Sequence, residues 1–268
     1  MAHIETGVRG IASAFVNARR TGLALTEYPG VPPLDLAHAY AVQDAAMTLF
    51  DEAVGGWKVG RINPPWTDQL QCTRLSGPIF THSVQSLASD DIAQGQIFES
   101  GFGAAEAEFV FRIGQVPDPA QKNFSLEDAA ALVDAVFCGV EIASSPFSGI
   151  NSMGPLVTIS DFGNNNGLLV GTEIPDWQAS GLENWDVSTV IDGTMVGAGT
   201  AATFPGGPLE SVRFLLENLI MRGRPVMPGL LISSGAVTGV HEVTAGQLVE
   251  VRFGSFCKHQ CVIGHKPR

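Results

Sequence analysis

The chain has 268 residues, 45% of them hydrophobic and only 16% charged, with 15 Lys and Arg against 27 Asp and Glu for a formal net charge of −12. That balance excludes the clustered basic footprint that nucleic acid or an anionic membrane surface demands. No stretch approaches the ~20 uninterrupted apolar residues of a membrane helix, and Met1-Ala-His-Ile-Glu-Thr-Gly lacks the basic-then-apolar pattern of a secretion signal, so a cytoplasmic protein is expected.

In chain order, Ile4, Val8, Ile11, Ala12 and Phe15 fall at helical spacing, with Arg19 and Arg20 near the end and Gly22 as a stop. After the Pro-rich turn at 28–33, Leu36, Ala39, Tyr40, Val42, Ala46, Met47 and Phe50 predict a second helix, ending at Gly55-Gly56. Residues 1–55 are therefore a helical preface. From 56 to 268 short apolar runs broken by Gly, Pro, Asn and Asp predict a β-rich body within the same single domain. Trp57-Lys-Val-Gly and Gly77-Pro-Ile-Phe are predicted strands. Ser125-Leu-Glu-Asp opens a capped helix over Ala129, Leu132, Val133 and Val136. Residues 155–175 mix apolar runs with the loop Asp161-Phe-Gly-Asn-Asn-Asn-Gly. Val187 to Val196 is a hairpin turning at Asp192-Gly193, and Pro208 starts a helix that stops at Gly223. Leu230 to Gly235 and Leu248 to Phe253 are strand again.

Within this body, Ala105-Glu106-Ala107-Glu108-Phe109 stands out. On a strand Glu106 and Glu108 share a face while Ala107 and Phe109 take the other. Two carboxylates amid apolar sequence repel and resist desolvation, and a shared proton, a basic partner or a divalent cation relieves them. Glu141, in a second strand-like run, is a candidate third ligand, and three carboxylate oxygens suit a hard cation such as Mg²⁺ or Mn²⁺. The alternative is a wet strand face. Lys58, inside a strand-like run, is a candidate for an anionic partner. The Asn triplet 164–166 could offer amides to an oxygen-rich ligand, and Ser233-Ser234-Gly235 could offer backbone N–H donors.

Other chemistries find less support. Cys257-Lys-His259-Gln-Cys261 with His265 is a spacing that alternate residues of a terminal strand produce without zinc. Four cysteines form no secreted framework, so reduced thiols are expected. There is no Gly-x-Ser-x-Gly elbow and no phosphate-cradling glycine motif.

Taken together, Gly56-Trp-Lys58-Val-Gly60, Glu106-Ala-Glu108, Val140-Glu141-Ile142 and Gly207-Pro-Leu with Arg224-Pro-Val-Met-Pro-Gly resemble the 2-keto-4-pentenoate hydratase and 4-oxalocrotonate decarboxylase group of the fumarylacetoacetate hydrolase superfamily, over nearly the whole chain. The resemblance implies an α+β fold, with a β-rich sandwich or roll core and N-terminal and peripheral helices, assembled as a homo-oligomer. It implies Mg²⁺ or Mn²⁺ on Glu106, Glu108 and Glu141, with Lys58 at the oxo-acid end of the substrate. Asn165, Ser234 and Gly235 are expected to contact that substrate. The implied activity is a metal-dependent hydratase (a lyase) acting on a 2-hydroxy-2,4-dienoate or 2-oxo-enoate. Decarboxylation of a 2-oxo-3-enedioate, hydrolysis of an acylpyruvate and non-catalytic oxo-acid binding are the alternatives. The chain departs from the group at Thr81-His82-Ser83, where acidic residues are usual, and at Pro146 to Ser152. His82 is accordingly expected to carry the proton, because imidazole titrates near neutrality.

Overall fold

The computed structural model describes residues 2–87 and 91–267, with side chains from Gly7 onward. Helix α1 (Ala2–Thr21) packs against α2 (Leu36–Phe50). Ile11, Phe15 and Val16 of α1 are buried, as the helical spacing requires; Ile4 lies outside the residues whose side chains are described. Asp35 caps α2 by accepting the His38 N–H at 2.7 Å. That helix stops at Phe50, not at Gly55-Gly56, because Asp51 takes the left-handed cap at φ 53°. The two glycines belong instead to a strand, where a Cβ on Gly56 would stand 2.6 Å from the Leu231 carbonyl.

That strand is β1 (Val54–Arg61), followed by α3 (Trp66–Leu70), β2 (Arg74–Phe80), β3 (Val84–Ser86), β4 (Ile92–Ile97) and β5 (Phe102–Ile113). Next come α4 (Leu126–Leu132), β6 (Val133–Ser145), α5 (Pro155–Ser160), β7 (Asn165–Glu173), β8 (Val187–Ile191) and β9 (Thr194–Gly199). The chain closes with α6 (Leu209–Met221), β10 (Leu231–Ser233), β11 (His241–Glu242), β12 (Leu248–Phe253) and β13 (Cys257–His265). Val133 and Val136 therefore lie in a strand and not under the capped helix. The predicted loop 161–167 holds a short 3₁₀ turn (Phe162–Asn164) and then the start of β7. The hairpin turn at Asp192-Gly193 stands as expected, with φ 48° and 80° at the two residues.

The result is an α+β fold of two sheets. One has the order β2-β1-β10-β5-β6-β7-β3, with β11 also on β5; the other runs β4-β13-β12-β8-β9. The sheets pack face to face through residues such as Phe109 and Phe253, whose rings lie 5.3 Å apart. Alternation along β5 then fixes the rest: with Phe109 directed to the inter-sheet core, Glu106 and Glu108 face the other side of the first sheet. Among the described residues, no helix is long and apolar enough to cross a membrane.

Candidate metal centre and substrate cavity

The centre of the first sheet brings the three glutamates together by register. On the antiparallel β5–β6 pair Glu106 stands directly opposite Glu141, and Glu108 opposite Gly139. One oxygen from each of the three carboxylates lies within 4.8 Å of the others. This is not a wet strand face: exposure is 4% for Glu106 and 0% for Glu108 and Glu141.

Neighbouring strands supply the partners. Lys58 pairs in register with Ser233 on β10, and its Nζ lies 3.3 Å from Glu141 Oε1. Glu108 Oε2 accepts hydrogen bonds from the Ser233 hydroxyl and, at 2.8 Å, from the Gly235 N–H. Glu141 Oε1 also accepts from Asn165 Nδ2 at 2.9 Å. Glu108 Oε1 and Glu141 Oε2 are left buried with no hydrogen-bond partner. Native interiors seldom leave carboxylate oxygens in that state. Three carboxylates against one ammonium amount to a formal −2, which one divalent cation neutralises, and the all-oxygen donor set is what a hard cation prefers. The residues present therefore fit a divalent ion. Burial, opposed by Lys58 and reinforced by Glu141, raises the Glu106 carboxyl to about 7. Burial and the two neighbouring carboxylates carry Glu108 well above the usual range. For Lys58, burial favours the neutral amine, yet Glu141, Glu106 and Glu108 together outweigh it and keep the ammonium charged.

Glycine at 77 delivers a further residue. Gly77 is the register partner of Lys58 on β2, and a Cβ there would fall 2.0 Å from the Phe162 carbonyl. Only with hydrogen at that position can the segment 162–164 lie across the strands and bring Asn164 Oδ1 within 3.3 Å of Lys58 Nζ. Asn164 is in turn oriented by donating from Nδ2 to Asn151 Oδ1 at 3.0 Å. A cavity of about 590 Å³ opens above these groups, with Lys58, Glu106, Asn151 and Asn164 on its wall and Trp66 and Arg61 also lining it.

The expected site residues fall into three places. Glu106 and Lys58 line the cavity, with Glu108 and Glu141 buried beside them. Gly235 and Asn165 support carboxylates instead of facing that cavity, and Ser234 is turned into the structure, its carbonyl accepting from the Ser211 hydroxyl at 2.7 Å. His82 is elsewhere. It sits in a short 3₁₀ turn (Thr81–Ser83) with Nδ1 3.4 Å from Glu52, and lines a different cavity with Arg19 and Lys266. Its geometry corrects the proton-carrier expectation: the turn after β2 sends the imidazole away from the glutamates. Asn164 and Ser233 each have a local signal, in the Asn triplet 164–166 and in the strand-end Ser233-Ser234-Gly235; Asn151 and Arg61 join the site with none.

No protein-family model matches the chain. It is 25% identical over 256 residues to the TodF product hydratase of Pseudomonas putida F1, covering 91% of each chain. To the 4-oxalocrotonate decarboxylase of Pseudomonas putida it is 26% identical over 126 residues, 47% of each. Among solved structures it superposes on 4-oxalocrotonate decarboxylase from Pseudomonas putida G7, complexed with magnesium and adipate, with a TM-score of 0.79 at 20% identity over 96% of this chain and 97% of that one. Fumarylpyruvate hydrolase from Pseudomonas aeruginosa, in complex with Mn²⁺ and pyruvate, gives 0.60 at 15% identity, covering 78% and 89%. In sequence the chain is thus similar to a hydratase and to a 4-oxalocrotonate decarboxylase, and it shares its fold with 4-oxalocrotonate decarboxylase and fumarylpyruvate hydrolase.

Proposed function

We propose that this protein is a divalent-metal-dependent lyase of a 2-oxo acid, a hydratase acting on a 2-hydroxy-2,4-dienoate or the corresponding 2-oxo-enoate. The observation that carries the reading is the buried trio Glu106, Glu108 and Glu141, in excess over the single ammonium of Lys58, at a cavity sized for a small organic acid. Glu106, Glu108 and Glu141 would hold Mg²⁺ or Mn²⁺, which would supply Lewis acidity toward a 2-oxo acid.

The chain's own groups do the rest. Lys58 Nζ has three donors; Glu141 and Asn164 occupy two, which leaves one for the substrate's acid end. Because the ammonium is held charged, Lys58 acts as a fixed cation and hydrogen-bond donor, not as a base. Asn151 Oδ1 faces Asn164 and the Thr158 hydroxyl, so its amide N–H groups remain to donate toward the cavity. Trp66 and Phe102 line the same space with apolar surface that suits an unsaturated carbon chain. Proton exchange at the far carbons falls to water, since Lys58 is held charged and His82 is not on this wall.

Arg61 favours a second reading, decarboxylation of a 2-oxo-enedioate. It lines the cavity and makes no salt bridge among the described residues, so it could receive a second carboxylate. Assay of the purified protein with Mg²⁺ or Mn²⁺ against 2-hydroxypenta-2,4-dienoate, 4-oxalocrotonate and an acylpyruvate separates these chemistries. No turnover of any of the three would refute the reading as a lyase.

A further inference from the structure

Two of the four free cysteines meet between the sheets, away from the glutamates. On the β6–β7 pair Phe137 is opposite Glu173 and Gly139 opposite Val170, and the irregularity between them sets Cys138 beside Gly171 and Thr172. Strand β13 crosses over that point. The His259 imidazole rests on Gly171 so closely that a Cβ there would come within 2.2 Å of Nε2, and the same nitrogen accepts the Thr172 N–H at 3.0 Å. Cys257 lies two residues before His259 and so shares its face of the strand. It packs against the buried cluster that contains Cys138. Cys138 is three residues from Glu141 on β6, which places it on the opposite face of the sheet from the glutamates.

The two thiols occupy unlike surroundings. Cys138 is fully buried, and burial pushes its thiol far up. Cys257 is partly exposed and lines a surface cavity with Arg252 and Lys258. The neighbouring Cys138 thiol, working against burial and joined by His259 and Thr172, holds Cys257 down at about 6. An accessible thiolate with a second thiol packed near it is the arrangement in which oxidation is both fast and reversible.

We propose that Cys257 is a hydroperoxide-reactive nucleophile and Cys138 its resolving partner, the pair closing to a disulfide between the two sheets. The Cys257 thiolate attacks the terminal peroxide oxygen, the O–O bond breaks, and the leaving alkoxide or hydroxide takes up a proton; Cys257 becomes a sulfenic acid. The Cys138 sulfur then attacks the Cys257 sulfur. The S–O bond breaks, and hydroxide departs with the Cys138 proton as water. Two thiols have given up two electrons, the peroxide has been reduced to alcohol or water, and a dithiol reductant restores the pair.

The test uses the full chain treated with stoichiometric hydrogen peroxide, alkylated, and mapped by non-reducing mass spectrometry. The expected products are a Cys138–Cys257 bridge in the native protein and, in Cys138→Ala, a Cys257 sulfenic acid trapped by dimedone. Cys257 should also alkylate about tenfold faster than the half-buried Cys72 at neutral pH. Oxidation of Cys72 ahead of Cys257, or oxidation of Cys257 without bridging in the native protein, would overturn the proposal. Should Cys138→Ala fail to fold, the native-protein mapping and the alkylation ratio decide it alone.

Discussion

Arg19 and Asp161, 142 residues apart in sequence, form a buried ion pair with Nε 2.5 Å from Oδ1. The guanidinium also donates to the carbonyls of Asn165 at 2.9 Å and Ser144 at 3.2 Å, so α1 is fastened to the strand ends that present Asn165 to Glu141. Removing one partner of such a pair strands the other charge in the interior, at a cost of about 3–5 kcal/mol. Arg19→Leu is expected to lose stability in that range in urea unfolding and to weaken metal binding with it. A loss below about 1 kcal/mol would show that the pair does not hold the helix.

Ser233 and Asn165 lie off the wall of the cavity that Lys58 and Glu106 line, yet each holds a carboxylate. Ser233→Ala and Asn165→Leu are expected to lower Mn²⁺ affinity by about 10–100-fold in calorimetry, the usual effect of removing a partner that orients a ligand. Glu106→Gln and Glu108→Gln should abolish it. Full affinity in both glutamine variants would remove the glutamates from the metal site.

The raised carboxyls set a pH dependence in the ion-free protein. Glu106 titrates at about 7 in the fold against an ordinary 4.5, so across that window the folded state holds a proton that the unfolded chain has released. Stability from this group is present at low pH and is lost as pH rises from about 4.5 to 7. Chelator-treated protein should therefore fall in Tm from pH 5 to 7.5 more steeply than Glu106→Gln, and added Mg²⁺ should restore more at the higher pH. Parallel Tm profiles for the two proteins would contradict the shift.

His82→Ala is expected to leave kcat and KM of the metal-loaded enzyme within about twofold of the parent, because the imidazole lies against Glu52 on a different wall. A hundredfold loss in kcat, with the fold intact, would bring the residue back into the chemistry.

Arg61 stands opposite Arg74 across β1–β2, a like-charge pairing that weakens a sheet. Arg74 is neutralised by Glu210 at 3.8 Å and bonds the Pro205 carbonyl at 2.9 Å; among the described residues Arg61 has only the Phe204 ring, 5.9 Å away. For a substrate with a second carboxylate, Arg61→Leu should lower kcat/KM by about 10–100-fold, the scale of a charge-assisted hydrogen bond. Turnover of a monocarboxylate should hardly change. Equal effects on both substrates would assign Arg61 to structure instead of specificity.

How much of this was legible beforehand follows from the range of each interaction. Strand alternation is local, so the shared face of Glu106 and Glu108 could be read directly, as could the Asp192-Gly193 turn and the capped start at Ser125. The end of α2 escapes the glycine rule because an aspartate takes the left-handed cap at 51. Asn164 reaches Lys58 only because Gly77 admits the 162–164 segment, a contact between elements more than eighty residues apart that no periodicity encodes. The same holds for Arg19 and Asp161. His82 shows the converse: its neighbours on β2 are buried, but it lies in the 3₁₀ turn that follows, beside Glu52.

Since Glu106 faces Glu141 across one antiparallel pair, the site is written in a count of residues as much as in their identity. Deleting a single residue within Phe102–Ile113 or Val133–Ser145 would shift that pairing by one and turn carboxylates toward the inter-sheet core. Lengthening or shortening the connection at 114–125, ahead of α4, leaves the count within both strands untouched. Homologous chains should therefore vary freely in length there and hardly at all inside the two strands.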